Sequence, residues 1–132
     1  MSQANVEIVS RALEAFSRGD AAAFADLTTE DVEWTVGLAA VEGEVFRGWD
    51  GVARYFDRLG RAWDEFRFLA EQFCDLGDVV LVLGRLSGRS RGGGVPVESP
   101  VGAVWDLRDG RIWRLRAYLD QAKAREVAGL EG

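Results

Sequence analysis

The sequence predicts an α+β domain in which a curved antiparallel sheet wraps round three N-terminal helices. Three observations carry that expectation. Apolar residues recur at helical spacing near the N-terminus and again after Asp50; from "FRFLAEQFCDL" onward they alternate or run in strand-length blocks; and short glycine-bearing turns separate those blocks.

The first helix is expected from Ala4 to Arg18, because Val6, Val9, Leu13 and Phe16 fall on one face with Ala12 beside them. Glu7 with Arg11 and Glu14 with Arg18 are i,i+4 pairs in the favourable order on the opposite face. Gly19 can leave this helix through a left-handed turn, and Asp20 can cap a short second helix through Ala21 to Leu27. The stretch "EDVEWTV" then alternates as a strand, with Val32, Trp34 and Val36 on one face and Glu33 and Thr35 on the other. A loop rich in glycine and acidic residues follows. Asp50 is positioned as the N-cap of a third helix whose buried stripe is Val52, Phe56, Leu59 and Trp63, with Gly60 weakening its last turns.

The remaining elements read as strands. "FRFLAEQFCDL" leads to a turn at Gly77 and Asp78, and "VVLVLGRLSGRS" follows, its apolar run from Val79 to Leu83 implying cover on both faces. The cluster "GRSRGGG" lies between two strands and lacks the Gly-Lys-Ser/Thr of a phosphate loop, so it is expected as a hairpin turn. "VPVESPVGAVWDL", a turn at Arg108-Asp109-Gly110 and a final strand "RIWRLRAYLD" complete the meander.

Composition narrows the function. With 132 residues, 48% hydrophobic, the chain suits one globular domain spanning 1–132 and has apolar material for a core. A net charge of −6 without a long basic block argues against nucleic acid as a partner. No apolar run approaches the roughly 20 residues of a membrane-spanning helix, so no membrane partner is expected. The lone Cys74 can form no intramolecular disulfide and the N-terminus lacks a secretory signal, which makes a reducing cytoplasm the expected setting. The chain has no histidine, which excludes Ser-His-Asp, Cys-His and His-metal chemistry and leaves carboxylates, Tyr, Lys, Arg and water. Glu30, Asp31 and Glu33 lack the dense loop spacing of a calcium site, so neither metal nor cofactor is expected.

The candidate site residues follow from the strands. In "RLRAYLDQ", residues 114 to 121, Arg114, Arg116, Tyr118 and Asp120 share one face while Leu115, Ala117 and Leu119 share the other. The polar set either lies on wet surface or lines a cavity. Arg85 follows the most apolar strand segment and needs a carboxylate partner, for which Asp120 is the candidate. Paired, Asp120 stays ionised; buried without the pair, it becomes a general acid. Trp34 and Trp105, two of five tryptophans, sit on strands where they could wall an apolar pocket, core packing being the plainer role of each.

The segments "NVEIVSRALEAFSRGDAAAFADLTTEDVEW", "FRGWDGVARYF", "GDVVLVLGRLSGRSRGGG" and "VWDLRDGRIWRLRAYLDQAKAREVAGL" together resemble the SnoaL-like branch of the nuclear transport factor 2-like superfamily. The resemblance implies a cone-shaped fold with a pocket inside the cone, and homodimers joined through the outer face of the sheet. Members include ketosteroid isomerase, epoxide hydrolase, scytalone dehydratase and polyketide cyclases, so the fold alone assigns no reaction. The positions that match the isomerase base, tyrosine and oxyanion-hole acid are Val36, Ala12 and Ala103, none of which carries the required group. The hydrolase pattern is half present: Arg85 and Asp120 match, whereas Ser87 replaces an Asp, and Trp34 and Val36 replace the water-holding Tyr and Asn.

The leading expectation is binding of a small hydrophobic ligand in a pocket formed by Phe16, Trp34, Phe56, Trp105, Arg116 and Tyr118, with Asp120 and Arg85 as polar handles. One alternative is proton-transfer, cyclisation or hydration chemistry on a hydrophobic carbonyl or epoxide compound, with Asp120 as acid or base and Arg85 fixing its ionisation. The other is a non-catalytic dimeric assembly module whose pocket is filled by its own tryptophans.

Overall fold

The computed structural model describes residues 2–36 and 44–130. Its elements, in chain order, are α1 (Ser2–Arg18), α2 (Ala21–Ala25), β1 (Thr28–Val36), β2 (Glu44–Arg47), α3 (Gly48–Ala62), β3 (Trp63–Asp75), β4 (Val79–Ser90), β5 (Pro96–Arg108), β6 (Arg111–Tyr118) and α4 (Gln121–Ala128). All six strands join one curved, unclosed sheet in the order β2-β1-β6-β5-β4-β3. The fold is α+β, with α1, α2 and α3 against one face.

Two features depart from the expectation of a purely antiparallel sheet and three helices. β1 and β6 run parallel, with Trp34 beside Leu115 and Thr35 beside Arg116. Most of the chain separates these two strands, which is the long connection that a parallel pair requires. The fourth helix, α4, packs on the other face of the sheet. The loop expected after "EDVEWTV" lies at 37–43 outside the described residues, and its continuation, Glu44–Arg47, is a strand.

The helix ends follow local chemistry. Gly19 takes φ +70°, and the Asp20 carboxylate accepts a hydrogen bond from the Ala23 N–H at 3.0 Å. α3 begins two residues before Asp50, which therefore lies in the first turn instead of at the cap. There its charge still favours the helix N-terminus. Trp63 closes α3 and opens β3, where it stacks on Phe66 at 5.2 Å instead of continuing the helical stripe.

Alternation along β4 divides the core. Val80 and Val82 join Val9, Phe16, Phe24, Trp34, Trp105 and Leu115 on the inner face, under the first three helices. Leu81 and Leu83 join Val104 and Ala124 on the outer face, under α4. Both sides of the apolar run are thus covered, the second by a helix that the sequence reading did not place.

α4 is anchored at its first turn. The Asp120 carboxylate accepts from the backbone N–H groups of Ala122 at 2.9 Å and Lys123 at 3.3 Å, and Gly129 ends the helix at φ +93°. The Gln121 side-chain amide donates to the carbonyls of Gly84 and Val101 at 3.0 and 3.2 Å, tying the helix to β4 and β5. Gly102 allows the helix to lie flush, because a Cβ there would run into the Ala124 methyl. No described helix is long and apolar enough to cross a membrane.

Candidate functional site

Between the inner face of the sheet and the helices lies a cavity of about 200 Å³. α1 contributes Leu13 and Phe16 to its lining, α2 Phe24, and α3 Tyr55. The sheet supplies Trp34 and Val36 from β1, Phe66 and Phe68 from β3, and Leu86 from β4. Val101, Ala103 and Trp105 from β5, Leu115 and Ala117 from β6, and Leu119 just beyond complete it.

No charged side chain is among these lining residues. The side chains among them that carry a polar atom are Tyr55, Trp34 and Trp105. Burial pushes the Tyr55 hydroxyl up to about 12, so it is a neutral phenol at physiological pH. Trp105 is 2% exposed, yet its Nε1 has no hydrogen-bond partner. A buried donor left unpaired in this way is uncommon and costly.

The aromatic wall is held by contacts among the rings. Phe24 stacks on Trp34 at 4.8 Å with 11° between planes, and Tyr55 meets the Trp34 ring edge-on at 4.7 Å. Phe56 packs edge-on against Phe16, Phe24 and Trp34 at 5.9, 5.4 and 6.0 Å. It supports the wall from behind and is not among the lining residues.

Of the residues expected from sequence, Phe16, Trp34 and Trp105 line the cavity, whereas Arg116, Tyr118, Arg85 and Asp120 do not. The polar face of β6 turns outward, and the reason is one extra residue. Leu107 pairs with Ile112 and the preceding Asp106 pairs with Arg114, so Trp113 is a β-bulge. Ile112 faces the inner core. Unbroken alternation from it would have carried Arg114, Arg116 and Tyr118 inward, but the bulge shifts the face by one residue and sends Leu115, Ala117 and Leu119 in instead. Tyr118 packs with the outer cluster beside α4.

The expected Arg85–Asp120 pair is replaced by two separate interactions. Arg85 pairs with Glu98 of β5 at 3.1 Å. Leu86 next to it lines the cavity, so Arg85 and Ser87 point to the other face. Asp120 is the α4 cap described above. Its signature was present in the sequence: an Asp before Gln-Ala-Lys-Ala-Arg-Glu, with Gly129 closing the run, is a capped helix. The cavity residues that sequence reasoning missed, Phe66, Phe68 and Leu86 among them, do carry a signal in the alternation of β3 and β4.

Outward of the cavity, the Asp106 carboxylate accepts from Arg114 Nε and an Arg116 terminal nitrogen, each at 2.9 Å. Asp106 is 6% exposed and compensates two guanidinium groups at once. Replacing it with asparagine is expected to cost about 2 kcal/mol, less than for a fully buried pair because Arg114 reaches solvent. Urea unfolding at neutral pH, compared with wild type, measures this.

Among the described residues, no group of three or more Cys, Asp or Glu side chains is placed to hold a metal ion.

Helices packed inside an unclosed, curved sheet, with an apolar chamber between them, define the nuclear transport factor 2-like class of α+β proteins. Within that class the chain belongs to the SnoaL-like domain family, whose model matches residues 9–115. A nuclear transport factor 2-like protein from Burkholderia thailandensis is 30% identical, with a TM-score of 0.76 over 95% of this chain and 96% of that one. A candidate polyketide cyclase from Xanthomonas campestris is 25% identical, with a TM-score of 0.75 over 92% of this chain and 94% of that one. A protein from Catenulispora acidiphila with a ketosteroid isomerase-like fold, solved in complex with trimethylamine, shares the fold at 18% identity, with a TM-score of 0.78 over 95% and 94% of the two chains. No curated protein matches the sequence. Val36 and Ala103, where the isomerase resemblance would require carboxyl groups, offer the cavity only alkyl side chains.

Proposed function

We propose that this protein binds a small, uncharged, largely apolar molecule in the cavity between the helices and the inner face of the sheet. The observation that carries this reading is a chamber of about 200 Å³ lined by fifteen residues, none of them charged. An apolar chamber with few polar groups is the usual composition of a small-molecule site. The volume suits a bicyclic molecule better than a steroid-sized one, since about 150 Å³ accommodates benzene.

The similarity to a candidate polyketide cyclase supports the location of the site. It does not extend to a proton-transfer step, because the described lining offers no carboxylate and its one phenol stays protonated. Binding is therefore favoured over catalysis.

Filling the cavity tests the proposal. Ala117 lines the chamber from β6, and Ala117→Phe is expected to weaken binding of naphthalene or tetralin by about tenfold or more while the native circular dichroism spectrum is kept. Calorimetric titration of wild type and variant reads the outcome. Equal affinity in the two proteins would place binding elsewhere.

A further inference from the structure

We infer that Phe66 is an end wall of the chamber and the residue that limits the length of the ligand it takes. The inference rests on the reading of the cavity as a binding site and names what restricts that site.

A second cavity, of about 190 Å³, lies between the C-terminal ends of α1 and α3 and the start of β3. Phe16 and Phe66 line both it and the chamber, and no other described residue does. Their rings meet edge-on at 5.7 Å, so an aromatic partition separates two spaces of similar size. The spaces differ in character. The chamber has no charged lining, whereas Arg18, Asp64, Glu65 and Arg67 line the second cavity. The partition therefore also keeps charge away from the apolar chamber.

The two rings are held differently. Phe16 is 8% exposed and packs against Trp34 and Phe56 as well, so it belongs to the core. Phe66 is half-buried on the edge strand β3, where it stacks on Trp63. It pairs with Gly88 of β4, and a Cβ there would meet the Phe66 ring at 2.8 Å and the Trp63 ring at 2.9 Å. The glycine opposite is thus what lets the Phe66 ring lie across the end of the chamber. Replacing Phe66 with alanine removes one ring of the partition, leaves Phe16 in the core, and opens the chamber into the second cavity.

Naphthalene and phenanthrene test this, since they differ by one fused ring and carry no polar group. Equilibrium dialysis gives their affinities for wild type, Phe66→Ala and Leu86→Ala. Leu86 lines the chamber and not the second cavity, so its truncation widens the chamber without lengthening it. The ratio of phenanthrene to naphthalene affinity is expected to rise about tenfold over wild type in Phe66→Ala, the size of burying one more ring, and much less in Leu86→Ala. In wild type, naphthalene is expected to give intermolecular nuclear Overhauser contacts to the Phe66 ring and none to Leu59, which lines the second cavity and not the chamber. That measurement decides the question if Phe66→Ala does not fold. A ratio that rises no more in Phe66→Ala than in Leu86→Ala, or contacts to Leu59 in wild type, would overturn the inference and leave the binding site standing. If neither probe binds wild type, the cavity reading fails and the inference with it.

Discussion

Trp34→Ala is expected to destabilise the fold by about 4 kcal/mol, in the range for truncating a buried tryptophan. Trp34 is 4% exposed and touches rings from three helices: Phe16 on α1, Phe24 on α2, and Tyr55 and Phe56 on α3. Removing the indole thus takes apolar area from every inner-face helix at once, and the neighbouring rings cannot all collapse into the space. The space adjoins the existing cavity, so the variant should also lose affinity for apolar probes as its chamber widens. Urea unfolding measures the first effect. A midpoint unchanged from wild type would mean that the ring cluster contributes little to stability.

Gly84→Ala is expected to cost about 3 kcal/mol, at the upper end for overpacking, although it adds a single methyl group. The new Cβ would meet the backbone carbonyl of Leu69 and the Cα of Ala70 on β3, and backbone cannot rotate aside. The contact arises because β3 carries a bulge between Ala70 and Gln72, where it bends across β4. Gly60→Ala makes the contrasting control. Its Cβ would meet nothing within 4 Å inside α3, so alanine there should stabilise by up to about 1 kcal/mol. The same denaturation series reads both variants, and equal effects would show that helix or strand propensity, not close approach, decides the cost.

The parts of the fold legible in the sequence were those with one strong period. α1 repeats its apolar face without interruption, and β4 is bounded by turns at both ends, so "VVLVLGRLSGRS" corresponds to Val79–Ser90. Trp34 was placed on the correct face because Val32 and Trp34, both buried, alternate with the half-buried Glu33 and Thr35. The site failed where alternation permits two readings. Arg-Leu-Arg-Ala-Tyr alternates equally well with either set inward, and only the bulge at Trp113 decides between them. A bulge leaves no local mark, since it is a property of two strands in register. Asp120 failed for another reason: a carboxylate at the end of a strand and one at the start of a helix are the same residue until the next element is recognised. The parallel pairing of β1 with β6 was likewise beyond local pattern, which gives strand existence but not strand neighbours.

The place of β6 in the sheet bears on how the chain acquires its fold. β6 is the last strand made, yet it alone joins the pair β2–β1 to the group β5–β4–β3. A chain emerging from the ribosome holds two halves of a sheet with no strand between them until residues 111–118 are free. Trp34 and Trp105, drawn from opposite halves, reach a common sheet only when Leu115 pairs between them. Closure is therefore a late and non-local event, with the entropy of a long loop to overcome before the pairing stabilises it. Until then the strand edges of both halves stay open, and the nascent chain is at its most vulnerable to pairing with another copy.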